Sequence, residues 1–292
     1  MRVRRSAGER ALHGGNVFVL VLVASTMLLP FLNLLAVSFS GNTAILRGEV
    51  SFWPVGFQTA TYRYVLNSPQ LLQSLANTLF ITVAGTLLSV LLTGTLAYGL
   101  SKKYIMIRRP ALLLVVFTML FNPGMIPNYL VVRGMGLINS RWALIVPVLV
   151  DAFNLLIMKT FFQQVPLELE ESALIDGADP MRIFFYIVVP LTMHGIATIC
   201  LFYAVARWNT FFSGVLYLNR MSQYPLQVIL REILVAGTTL EGGAGFSQDA
   251  LNIPTEGVKA ATILFATAPI LIVYPFLQKY FVKGALLGAI KG

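Results

Sequence analysis

Residues 168–180 read ELEESALIDGADP: three glutamates, two aspartates, a glycine and a proline within thirteen positions. Long apolar sequence flanks this stretch, LIVPVLVDAFNLLIMKTFF at 144–162 before it and IFFYIVVPLTMHGIATICLFYAV at 183–205 after it. Pro166 suits a helix start, because its missing N–H falls where no intrahelical partner exists. Glu168, Glu170 and Glu171 then crowd the first turns, where the helix dipole favours negative charge. Gly177 follows Asp176 where a left-handed helix stop is wanted. Asp179 can cap a second helix that carries Pro180 at its first position. That helix bears Ile183, Phe184, Phe185 and Ile187 and meets Pro190. The stretch therefore reads as helix, tight turn, helix; on spacing alone, an ordinary solvated loop explains it equally well.

The surroundings are membrane-like. Of 292 residues, 57% are hydrophobic and 11% charged, with mean hydropathy +0.77. Soluble domains carry roughly a quarter charged residues, so the composition points to a bilayer protein. A span needs about 17–25 apolar residues. Six segments qualify: Val17–Val37, Leu75–Leu100, Ala111–Val131, Trp142–Phe162, Leu191–Leu218 and Val258–Phe281. The first is too long for a signal-peptide core of about 7–15 residues and reads as an uncleaved helix. The expected fold is all-α: one transmembrane domain over residues 1–292, with a core near 75–281 preceded by the N-terminal span and an outside loop at 1–74.

The formal net charge of +9 sits between apolar runs, so topology explains it better than nucleic acid does. With the N-terminus cytoplasmic, thirteen lysines and arginines lie inside and seven outside, and SKKYIMIRRP at 101–110 is the strongest inside loop. Positive loops resist translocation, which favours both termini in the cytoplasm and places the acidic turn there, between spans four and five. Outside, WPVGFQTATYRYVLNS at 53–68 has aromatic anchors and suits a short surface helix, while GTTLEGGAGFSQ at 237–248 is turn-rich.

The turn resembles the cytoplasmic signature of ABC-importer permeases: Glu-Ala-Ala, three residues, glycine, then about nine residues to Ile-x-x-Pro. Glu171, Ser172, Ala173, Gly177, Ile187 and Pro190 match, with serine in place of the first alanine. NTLFITVAGTLLSVLLTGTLAYGLSKK at 77–103, RWALIVPVLVDAFNLLIMKTFFQQVP at 141–166, ARWNTFFSGVLYL at 206–218 and GALLGAIKG at 284–292 resemble the carbohydrate branch. The resemblance covers roughly residues 15–292 and extends to membrane subunits of bacterial alginate-oligosaccharide importers. It implies a multi-pass permease of the bacterial inner membrane importing an oligosaccharide, acidic ones such as alginate included. It also implies a second permease, two ABC ATPases that hold ATP and magnesium, and an extracytoplasmic binding protein. The ATPase contact would use Glu170, Glu171, Ser172, Ala173, Asp176, Gly177, Ala178, Asp179 and Pro180, with Glu171 pairing to a basic residue. Lys291 either reaches the same interface or ends a frayed tail.

No GxxxxGK[ST] phosphate cradle and no GxSxG elbow occurs, so this chain is expected to be non-enzymatic and to bind no cofactor or metal of its own. Two charges fall inside spans, where ionisable residues are functional-site candidates. Asp151 lies about 9 residues from the outer end of span four and Arg207 about 11 from that of span five, both roughly 13–17 Å deep. They could pair and lock two helices, or Arg207 could meet a substrate carboxylate or hydroxyl. Asn154, Tyr203, Trp208 and Asn209 complete the candidate substrate path, since aromatic faces and amides suit sugars. FNPGMIPNYL at 121–130 should interrupt span three through Pro123, Gly124 and Pro127. Cys200 and His194 read as packing. The competing reading is an ion-gradient transporter with Asp151 as proton site, which leaves the acidic turn unexplained.

Overall fold

The computed structural model describes residues 7–236 and 255–289, in which every regular element is helical. The expectations for GTTLEGGAGFSQ and Lys291 fall outside those residues. The chain divides into two compact units, Met1–Ser68 with Glu232–Thr267, and Pro69–Arg231 with Ala268–Gly292.

In the first unit, α1 (Ala7–Ser38) carries apolar side chains that are exposed from Val17 to Phe31. The chain then doubles back on the end of α1. Ser40 Oγ donates to Ala36 O at 2.6 Å and accepts from the Val55 N–H at 3.0 Å, and Gln58 Nε2 donates to Ser40 O. Two short helices follow, α2 (Asn42–Leu46) and α3 (Ala60–Leu66). Phe39 stacks on Tyr62 of α3 with ring centroids 4.5 Å apart, and α3 falls within residues 53–68, where a short helix was expected.

The second unit is organised on α4 (Pro69–Ser101). Its buried positions include Ser74, Thr78, Ile81, Gly85, Ser89, Thr93, Ala97 and Ser101, a stripe of mostly small residues at helical spacing. Small side chains let helix backbones approach closely where lipid supplies no hydrophobic drive between helices. Next come α5 (Arg108–Leu120) and α6 (Met125–Gly134), separated at residues 121–124 as Pro123 and Gly124 demand. Gly124 has φ +85°, the left-handed region. Pro127 is absorbed in the first turn of α6, where proline is tolerated.

The expected fourth span is also discontinuous. Two 3₁₀ turns, Arg141–Leu144 and Val146–Val148, are followed by a break and α7 (Ala152–Phe162), bent by 51°. Pro147 withholds an N–H and Asp151 caps the new helix, so a regular helix cannot run through. The acidic turn supplies α8 (Leu167–Ile175) and α9 (Pro180–Ile183), continued by a π-helical turn at Phe184–Val188 and by α10 (Val189–Leu191). The wide turn sits directly ahead of Pro190, whose ring would clash with the Tyr186 carbonyl in a regular α-turn. An 85° bend at Thr192 leads into α11 (Met193–Trp208), so the expected fifth span is shorter than Leu191–Leu218. Its end is set by Asn209 Nδ2 and Thr210 Oγ1, which bond the Val205 and Ala206 carbonyls.

Then come α12 (Phe212–Tyr217), α13 (Leu226–Ala236) and α14 (Thr255–Ala289). Asn77 Nδ2 donates to Ser222 O and Tyr224 O, and the Leu226 N–H donates to Thr78 Oγ1, tying the start of α13 to α4. Among the described residues three helices are long and apolar enough to cross a bilayer, or five if each bent pair counts as one span. The core beside the acidic turn joins Ala97, Met158, Phe162, Phe184, Val188, Ile199 and Tyr203.

Candidate functional site

Two polar constructions stand out in the second unit. The first is the acidic turn. Helix α8 ends in a glycine stop: the Ala178 N–H donates to Ala173 O at 2.9 Å and the Gly177 N–H to Leu174 O at 3.0 Å, with Gly177 at φ +81°. This double bond pattern satisfies carbonyls that a helix end leaves free and reverses the chain tightly. Asp179 Oδ1 accepts from the Arg182 N–H at 2.9 Å and caps α9, with Pro180 at its first position. Glu168, Glu171, Ser172, Asp176 and Asp179 are exposed, and so are Leu174, Ile175 (86%) and Met181. The capped turn thus presents carboxylates beside large apolar side chains.

Glu170 is the exception among the expected contact residues. It is buried, and its carboxylate pairs with the Lys102 ammonium just beyond the end of α4. The Tyr98 hydroxyl also donates to Glu170 Oε2, at 3.3 Å. Glu170 faces into the protein, whereas Glu171 faces outward. Lys102 and Tyr98 were read only for topology and resemblance, not as partners of the acidic turn; a lysine immediately after a small-residue stripe was the available signal.

The second construction surrounds the break in the expected fourth span. Arg207 is buried at 4% exposure. Its guanidinium donates to Leu144 O at 3.2 Å, Val148 O at 3.1 Å and Ser89 Oγ at 2.5 Å. It packs against Gly85, where a Cβ would come within 2.6 Å of Cδ and Nε. One turn earlier on α11, the Tyr203 hydroxyl accepts from the Asp151 N–H at 2.9 Å and bonds Thr93 Oγ1 at 2.8 Å. Tyr203 and Arg207 therefore take opposite sides of the break: Arg207 holds carbonyls before it and Tyr203 an N–H after it. Gly85, Ser89 and Thr93, spaced by four on α4, close the bracket. The freed backbone of a broken membrane helix needs such internal partners.

The Asp151–Arg207 pair is not formed. The Asp151 carboxylate accepts from the Asn154 N–H at 2.9 Å and caps α7, and Arg207 donates to two backbone carbonyls and to Ser89 Oγ, with its Nε–H unpartnered. A carbonyl-rich helix end competes well for a guanidinium, because its dipole is negative there. Asn154 and Trp208 are buried, Trp208 with its indole N–H unpartnered, while Asp151 and Asn209 are exposed. Gly85, Ser89 and Thr93 were missed because each alone is an unremarkable small residue; their four-residue spacing was the signal. Cys200 borders two apolar cavities of about 340 and 560 Å³ along α4 and α11, and His194 stands edge-on to Phe161.

Comparison with known proteins supplies a family. Residues 104–286 match the pattern of the "binding-protein-dependent transport system inner membrane component". The polygalacturonan/rhamnogalacturonan transport system permease protein YtcP of Bacillus subtilis is 45% identical, over 94% of this chain and 96% of its own. Protein LplC of the same organism is 44% identical over 95% of this chain and 94% of its own. Among solved structures, a bacterial ABC transporter involved in the import of the acidic polysaccharide alginate contains a chain that superposes with TM-score 0.87. It is 32% identical, over 95% of this chain and 99% of that one.

Proposed function

The chain belongs to the family of binding-protein-dependent transport system inner membrane components, non-catalytic membrane parts of ABC importers, and from that premise we propose that it is one of two permeases enclosing the path of an acidic oligosaccharide. The observation that carries the reading is the exposed, capped acidic turn at residues 166–180, whose shape and chemistry suit a groove on a soluble ATPase. Glu171 pairs there with a basic residue, and Leu174, Ile175 and Met181 bury against the groove wall. ATP-driven closure of two ATPase copies becomes a rigid-body rotation of the permeases, which turns an outward-open path inward. An extracytoplasmic binding protein delivers the cargo, and six crossings with both termini in the bacterial cytoplasm put the turn on the ATPase side of the inner membrane.

The cargo class rests on relatives, one named for a galacturonan and one for alginate. Both polymers contain uronic acids, so a carboxylate-bearing oligosaccharide is the cargo these relatives share. Of the residues expected on the path, Asp151 and Asn209 are exposed and are the proposed cargo contacts, while Tyr203, Arg207, Trp208 and Asn154 shape the wall behind them. The ion-gradient alternative gains no support from Asp151, whose carboxylate is engaged in capping.

The test is reconstitution. The chain, purified from its native membrane, should bring with it a P-loop ATPase and a second permease. In proteoliposomes the complex should import uronate oligosaccharides on ATP without a proton gradient. Uptake that collapses with an uncoupler at constant ATP would overturn the reading.

A further inference from the structure

The end of α4 carries a second, buried connection to the acidic turn. Tyr98 and Lys102 stand one helical turn apart and close on α8 from the same side. The Lys102 ammonium pairs with Glu170, with both side chains 8% exposed, and it lies 4.3 Å from the centre of the Tyr98 ring. The Tyr98 hydroxyl reaches the same carboxylate. The ring of Tyr98 meanwhile packs on Phe184, centroids 4.9 Å apart, and stands edge-on to Phe162 at 6.3 Å. Phe184 opens the π-helical turn that continues α9. One tyrosine thus touches both arms of the turn, the first through its hydroxyl and the second through its ring.

The end of α4 is itself fastened. Arg108 Nε donates to Leu100 O at 2.9 Å, Gln163 Nε2 to Ser101 O at 3.4 Å, and Ser101 Oγ to Tyr98 O at 2.7 Å. A buried ion pair in that setting is screened little by solvent, and removing either partner strands a charge. Such a pair is weak evidence for stability, and its place here is fixed by the bonds that fasten the end of α4. From α4 the connection continues into the bracket at Ser89 and Thr93, which grips the break in span four through Arg207 and Tyr203.

We propose that Lys102, Glu170 and Tyr98 form a transmission latch: they are positioning residues that make α8 and α4 move as one body, so that a displacement of the acidic turn reaches the helix bundle. The backbone joins the turn to the bundle through residues 163–166 on one side and through a π-helical segment and an 85° bend on the other, and the latch adds a direct side-chain link between α8 and α4. The proposal rests on the importer reading above and assigns Glu170 an inward role distinct from that of Glu171.

The test uses the whole importer in proteoliposomes and reads oligosaccharide imported per ATP hydrolysed. Lys102→Met and Glu170→Gln should each lower that ratio about tenfold, and Tyr98→Phe should lower it two- to threefold. The exchanged pair Lys102→Glu with Glu170→Lys should recover at least half of the loss. If the single charge variants do not assemble, Tyr98→Phe and the exchanged pair decide. An unchanged ratio in assembled variants overturns the latch. So does an exchanged pair no better than the singles, or a set of variants whose only defect is assembly. A wild-type chain that brings down no ATPase would instead sink the importer reading, which keeps the two failures apart.

Discussion

The bracket around the break ahead of α7 makes a quantitative prediction for Gly85→Ala. The new methyl carbon would lie 2.6 Å from Cδ and Nε of Arg207. Ordinary contact begins near 3.5 Å, so the guanidinium must withdraw by about 1 Å. Three bonds depend on its position, to Leu144 O, Val148 O and Ser89 Oγ. Hydrogen bonds inside membrane proteins are worth roughly 0.6–1.7 kcal/mol each, so losing all three costs about 2–5 kcal/mol. Arg207→Met should cost a similar amount, since it leaves the same carbonyls unpartnered. The double variant is the sharper measurement. With methionine at 207, the alanine methyl meets a thin, flexible chain, and Gly85→Ala should become nearly neutral. The predicted coupling between the two sites is about 2 kcal/mol or more, within the range seen for touching residues. Denaturant unfolding of the purified complex in detergent supplies all four corners of the cycle. Additive costs would refute the bracket. A stable, assembled Arg207→Met complex that has lost only its affinity for anionic oligosaccharide would show that the guanidinium meets cargo instead.

Gly177→Val places a β-branched residue at φ +81°, at a cost of about 1–2 kcal/mol. Its expected result is a frayed end of α8, read as faster hydrogen exchange at the Ala178 amide and weaker recovery of the ATPase in pull-downs. Gly195→Ala puts a methyl 2.5 Å from the Phe161 ring, an overpacking that should cost about 1–3 kcal/mol in the same unfolding assay. Phe161→Leu should relieve most of that cost.

Much of this protein was legible in its residues. Three of the six apolar runs form single long helices, α1, α4 and α14, because lipid leaves a backbone few other ways to satisfy its hydrogen bonds, while the other three are broken or bent. Pro166, Gly177, Asp179 and Pro180 set the acidic turn by local rules, and the turn formed where those rules put it. Pro123 and Gly124 interrupted α5 and α6 for the same reason. Partner choice was not local. Glu170 and Glu171 are adjacent acids in one helix, and only the position of Lys102, 68 residues away in the chain, turned one of them inward. Asp151 and Arg207 looked like a pair because depth was the only coordinate available. Local capping took the aspartate, and carbonyls freed by a distant break took the arginine. Sequence patterns report what a segment does with its own backbone. Which buried charge meets which acceptor depends on how helices cross, and that is decided only when they pack.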